Sequence, residues 1–118
     1  MTDEGDDRAR AARSAYQRRS AQRARQRRAE TQAMRHERER LQLAHQLRRE
    51  LQTLAQGAGD LARQVQAGGR AGEQAAARLE SRRVRAREAL SQADRFALDA
   101  GLAELDAVDR QALALPDR

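Results

Sequence analysis

The 118-residue sequence has no Cys, Lys, Ile, Asn or Trp, a single Pro, and only two aromatic residues, Tyr16 and Phe96. The lack of Cys excludes disulfides, thiolate metal sites and Cys nucleophiles. The shortage of branched and aromatic side chains argues against a packed globular enzyme. Of the hydrophobic residues 26 are Ala, which leaves 20 larger apolar side chains with Met1 among them. No apolar run approaches the length of a membrane span, and Met1-Thr2-Asp3-Glu4-Gly5-Asp6-Asp7 lacks the basic and apolar regions of a signal peptide. A cytoplasmic protein without membrane insertion is expected. An Arg/Ala/Gln/Leu vocabulary of this kind fits a GC-rich genome, so the missing Lys says little about chemistry.

Charge and helix formers are abundant. All 24 basic residues are Arg, and 18 acidic residues leave a net charge of +6. From Arg8 to Gln56 there is no Gly and no Pro, which predicts a long helix over 8–56 with Asp7 as its N-cap and residues 1–7 as an acidic tail. Five of the seven Gly residues (Gly57, Gly59, Gly68, Gly69 and Gly72) cluster centrally. Each costs a helix interior about 1 kcal/mol relative to Ala, so 57–72 should form a turn region, with a short helix over 61–67 behind Asp60. A second helix is expected over 73–115, bent near Gly101 and closed by Pro116, with 116–118 as a tail. With three Val and no alternating run, strand signals are absent. The fold class expected is all-α: a long, elongated antiparallel helical hairpin or coiled coil with a Gly-rich central turn.

The apolar pattern supports a seam. Ala44, Leu47, Leu51, Leu54, Ala58, Leu61 and Val65 follow spacings of three and four through 44–65, as a coiled coil requires. A thinner series runs through Ala76, Leu79, Ala86, Leu90, Ala93 and Ala97. Leu98, Leu102, Leu105, Val108, Ala112 and Leu115 then form an amphipathic face that could dock on a partner or on the first helix. Alanine-rich seams bury little area at about 25 cal/mol per Å², so a partner or self-association is expected to complete the burial. Charge favours an antiparallel arrangement. Residues 8–28 carry nine Arg and no acid, whereas 96–118 carry Asp99, Glu104, Asp106, Asp109 and Asp117 against two Arg. A fold at 66–72 would bring the acidic arm beside 28–40, and a fold at Gly57–Gly59 would bring it to Arg8–Arg19.

The densest local signal is Arg8, Arg10, Arg13, Arg18, Arg19, Arg23, Arg25, Arg27 and Arg28. At about 100° per residue these project in nearly all directions on a helix. Two readings follow. One is a nucleic-acid segment that neutralises phosphates, chiefly through Arg18, Arg19, Arg23, Arg25, Arg27 and Arg28. The other is a solvated arm paired with acidic groups. Leu47, Leu54 and Leu61 recur every seven residues after the basic stretch, but the chain has no Asn to read a base, and Gly57 and Gly59 interrupt the repeat. A basic-region leucine zipper is therefore excluded.

No catalytic, cofactor or metal site is expected. His36 and His45 stand nine residues apart, not the three or four that a helical metal pair needs. Ser14, Ser20, Ser81 and Ser91 lack a nucleophile context, and the central glycines lack the ending of a phosphate-binding loop.

An Arg/Gln/Glu/Ala-rich helical hairpin without Cys and with few aromatics, over Arg8 to about Leu115, resembles the small stalk proteins of flagellar and type III secretion export machines. The resemblance rests on architecture and composition, and this chain is shorter than is usual there. It implies a non-enzymatic coiled-coil adaptor acting by protein–protein contact, seated in a hexameric ATPase and serving protein transport. Its seam would be Leu47, Leu51, Leu54, Leu61 and Val65, and its second face Leu98, Leu102, Leu105 and Val108. The alternative function is nucleic-acid binding through residues 8–28.

Overall fold

In the computed structural model, which describes residues 3–117, helix α1 spans Asp3–Ala55. Helix α2 (Ala58–Ala67) and helix α3 (Gly69–Arg95) follow, then a single 3₁₀ turn at Leu102–Glu104 and a short helix α4 at Ala107–Ala112. The protein is all-α, and no strand occurs among the described residues. Contacts divide it into two units, one ending at Glu39 and one beginning at Arg40. The division follows the side chains. All 13 Leu and all three Val lie beyond residue 40.

The second unit holds the core. Leu47, Leu51, Leu54 and Ala55 of α1, Ala58 and Leu61 of α2, and Ala75, Leu79, Ala86, Ala89, Leu90 and Ala93 of α3 are buried together with Leu102, Ala112, Leu113 and Leu115. Three-and-four spacing places the α1 leucines on one face, and α3 returns antiparallel along α2 as the second arm of a helical hairpin, its inward residues sharing a core with those leucines. Its register is visible in hydrogen bonds: the Arg82 guanidinium donates to the carbonyls of Leu54 (3.4 Å) and Gln56 (2.7 Å) at the end of α1. Such a donor satisfies carbonyls that a helix C-terminus leaves without partners. On α3 the inward residue is Ala75, while Ala76 is exposed.

The Gly-rich region makes two corners, not one broad turn. Gly57 adopts φ +77° between α1 and α2, and Gly68 and Gly69 adopt +75° and +74° between α2 and α3. Helix α2 begins at Ala58, earlier than a start at 61, because the left-handed Gly57 already turns the chain. Gly72 then lets α2 and α3 approach closely. A Cβ there would stand 2.9 Å from the backbone oxygen of Gln64, which α2 has little freedom to move.

The expected helix over 73–115 is not continuous. Helix α3 ends at Arg95, where Ala97 takes φ +52°. The Leu98 amide donates to the carbonyl of Ala93 (2.8 Å) and the Ala97 amide to that of Asp94 (3.1 Å). This is a Schellman ending with Ala where Gly is usual. The same device recurs at Ala114, with φ +55°, where Leu115 bonds back to Arg110 and Ala114 to Gln111. Helix α4 therefore closes before Pro116 is reached. In both endings the following leucine packs on the core, Leu98 partly and Leu115 fully, and this burial offsets the strain of a left-handed alanine. At its other end, α1 includes Asp6 and Asp7 within the helix, so Asp7 is not the cap and 3–7 is not a separate tail; residues 1 and 2 lie outside the described residues. Glu4 and Asp6 near its start suit the positive end of the helix.

The doubling back of residues 96–117 also changes the register expected from charge. The acidic segment meets Arg48, Gln52 and Gly59, rather than 28–40 or Arg8–Arg19. The left-handed turn at Ala97 reverses the chain and lays this segment on the leucine-bearing end of α1.

A left-handed alanine costs about 1–2 kcal/mol that glycine escapes, against about 0.4–1 kcal/mol of extra unfolded-state entropy for glycine. Ala97→Gly should therefore stabilise the C-terminal unit by roughly 0.5–1 kcal/mol. An upward shift of the urea midpoint is the expected reading, and a downward shift would contradict the assigned ending.

Candidate functional site

The residues singled out by sequence fall into two groups, one in each unit. In the unit from Arg40 onward, Leu47, Leu51, Leu54 and Leu61 are buried and Val65 is half-buried. The seam is thus occupied by the chain's own α3 and C-terminal segment. Leu102 is buried, Leu98 and Leu105 are half-buried, and Val108 is 61% exposed. Leu98–Leu115 consequently does not offer a continuous apolar helix face, because its leucines are divided among two Schellman endings and a 3₁₀ turn.

Polar groups fasten that C-terminal segment. Arg48 on α1 donates from Nε to the Asp99 carbonyl (3.1 Å), pairs through Nη2 with the Asp99 carboxylate (2.5 Å), and lies 4.0 Å from Glu104. The Asp109 carboxylate accepts from the amide of Gly59 (2.9 Å) at the start of α2. Arg83 on α3 donates to the carbonyl of Ala112 (2.9 Å) at the end of α4. Asp106 caps α4 by accepting from the amides of Val108 and Asp109. The Gly101 amide donates to Asp99 (3.0 Å), and this bond, with the Arg48 guanidinium beside it, holds the Asp99 carboxyl below the usual carboxylate range.

Sequence reasoning missed Leu113 as a core residue, placed Leu115 on a helix that in fact ends before it, and missed the roles of Arg48, Arg82 and Arg83. One signal was available: Asp106, with Asp109 three residues on and Val108 between them, has the form of a helix start. The arginine caps had none, since their partners are backbone atoms distant in the chain.

In the first unit, α1 is exposed along its length. From Glu4 to Glu39 every residue is exposed except Ala15 and Ala24, which are half-buried. Arg18, Arg19, Arg23, Arg25, Arg27 and Arg28 all stand in solvent, as do Arg8, Arg10 and Arg13. Among the described residues no acidic group pairs with any of these nine. Arg18 makes one weak bond, from Nε to the Ser14 carbonyl at 3.4 Å. Tyr16, 68% exposed, and Met34, 66% exposed, are the larger apolar side chains described on this stretch. A helix polar all round has no face to bury. What this surface offers chemically is a dense set of always-charged, multiply donating guanidinium groups suited to phosphate or carboxylate oxygens.

His36 stands 3.9 Å from Glu39, both exposed, and His45 is exposed on the same helix. Among the described residues no cluster of His, Cys, Asp and Glu could hold a metal ion, and no helix is long and apolar enough to cross a membrane. A groove of about 430 Å³ between α1 and the C-terminal segment is lined by Arg49, Gln52, Gln56, Glu104, Asp106 and Asp109. It pairs no nucleophile with a base.

No protein-family model matches this sequence, and neither a curated protein nor a solved structure matches it.

Two outcomes test these electrostatics. Because the Asp99 carboxyl is held low in the folded chain, its contribution to stability is present above the unfolded value, about 3.9, and is lost as pH falls through the lower folded value. Asp99→Asn should therefore shrink the fall in urea midpoint between neutral pH and about pH 2; an unchanged fall would remove Asp99 from the acid response. In the arginine stretch, the like-charged neighbours Arg10/Arg13, Arg19/Arg23, Arg23/Arg27 and Arg25/Arg28 repel at helical spacing. Raising salt from about 0.01 M to 1 M shortens the screening length from about 30 Å to 3 Å, so NMR chemical shifts of residues 8–28 should move toward helix. A shift toward coil would contradict self-repulsion.

Proposed function

We propose that the protein is a non-enzymatic helical adaptor that binds nucleic acid through the arginine-rich part of α1, Arg8–Arg28, and carries a folded helical unit built by residues 40–117. The reading is supported above all by the nine exposed arginines, which no acidic group neutralises among the described residues. The leucines that would have formed an external seam are buried within their own chain, so the arginine surface is the chemically unsatisfied feature of the molecule. Phosphates satisfy it directly, and released counterions drive the association.

The test is fluorescence anisotropy of labelled DNA and RNA with the full chain across a salt series. Binding is expected at about 50 mM salt and should weaken by about a hundredfold or more by 200 mM. Replacing Arg18, Arg19, Arg23, Arg25, Arg27 and Arg28 together by Gln should abolish it while the urea midpoint of the folded unit stays unchanged. Binding that ignores salt, or is absent at 50 mM, would defeat the proposal.

A second reading keeps the protein–protein role: a coiled-coil component of a larger assembly, such as an export-apparatus stalk seated in a hexameric ATPase. It is favoured by the antiparallel packing of α2 against α3. It would gain if protein partners stayed bound after nuclease treatment while naked nucleic acid was not bound at all.

A further inference from the structure

The arrangement of the arginines around α1 restricts the kind of nucleic acid that suits it. Resting on the nucleic-acid reading above, we propose that Arg8–Arg28 seats in the major groove of double-stranded DNA and contacts phosphates on both groove walls. At about 100° per residue, no third of the helix circumference holds more than four of the nine arginines. Laid across the outside of a duplex or along one strand, the helix would bring one such sector to phosphate and leave the remaining charge in water. Between two phosphate walls, arginines on opposite sides are neutralised together. Arg18 and Arg27 illustrate this: nine residues apart, or two and a half turns, they point in opposite directions.

Size separates the duplex types. An α-helix with its side chains is about 10–12 Å across, and the major groove of B-form DNA is about 12 Å wide. The major groove of A-form RNA is deep and narrow, and an unwidened one does not admit a helix. Single strands are recognised largely by stacking bases on aromatic rings, and Tyr16 is the one aromatic residue in the arginine stretch. Each side chain from Arg8 to Arg28 is exposed apart from half-buried Ala15 and Ala24, so no packing within this stretch has to be broken before it enters a groove.

The experiment titrates the full chain against a labelled 20-base-pair DNA duplex, an RNA duplex of the same sequence and the DNA single strand, at several salt concentrations. Circular dichroism confirms that Arg18→Gln and Arg27→Gln keep wild-type helicity. Groove seating engages six or more phosphates, giving a slope of log affinity against log salt steeper than about −5 for duplex DNA, since each phosphate contributes about −0.9. Duplex DNA should bind at least tenfold more tightly than the RNA duplex or the single strand. Arg18→Gln and Arg27→Gln should each reduce the steepness of the slope by about 0.9, because both walls are contacted. A shallower slope, one silent variant, or equal binding of RNA duplex or single strand overturns groove seating while leaving nucleic-acid binding in place. Failure of all three probes to bind at about 50 mM salt overturns both proposals.

Discussion

The fold depends on where its few large apolar side chains fall. Every leucine and valine lies beyond residue 40, so hydrophobic burial, the main favourable contribution to folding, is available only to the second unit. Alanine supplies most of the remaining apolar residues. It favours helix without cost to side-chain entropy, but it buries little surface. The result is a continuous helix from Asp3 to Ala55 that joins the core only where its leucines begin.

Within the second unit, sparse apolar area is supplemented by arginines that satisfy backbone groups at element ends. Arg82 serves the end of α1, Arg83 serves the end of α4, and Arg48 holds the loop at Asp99. Asp109 does the equivalent for the start of α2. These bonds connect ends that would otherwise need water, and they give the short C-terminal elements a defined place on α1, α2 and α3. The same residue type therefore has two uses. Beyond residue 40, several arginines are consumed by backbone carbonyls and carboxylates; in Arg8–Arg28 they are left to solvent. Guanidinium groups in the first setting secure the fold, and in the second they offer charge to a polyanion.

Much of the architecture was legible beforehand because it rests on local rules. The uninterrupted helix formers gave α1, the central glycines marked the corners, and the spacing of Leu47, Leu51, Leu54 and Leu61 identified the inward face. The candidate arginines were legible as well, since charge without acidic neighbours is a property of composition. The C-terminal segment was not. Ala97 and Ala114 end their helices in a conformation that usually signals glycine, so a search for glycine passes over both. Their turns are held by Leu98 and Leu115 packing onto residues far away in the chain, which no local pattern reveals.

Sequence alone determined the helical class, the separation of charge from apolar volume and the face that α1 turns inward. These follow from residue type and period, which act over a few neighbouring positions. Tertiary structure alone decided that the second arm stops at Arg95, that the acidic segment meets Arg48 and Gly59 instead of the arginine stretch, and that the leucine seam is covered by its own chain. The reason is physical: left-handed alanines and long-range arginine bonds are tolerated only where burial and backbone partners from other elements offset their cost, and those partners exist only once the chain has folded.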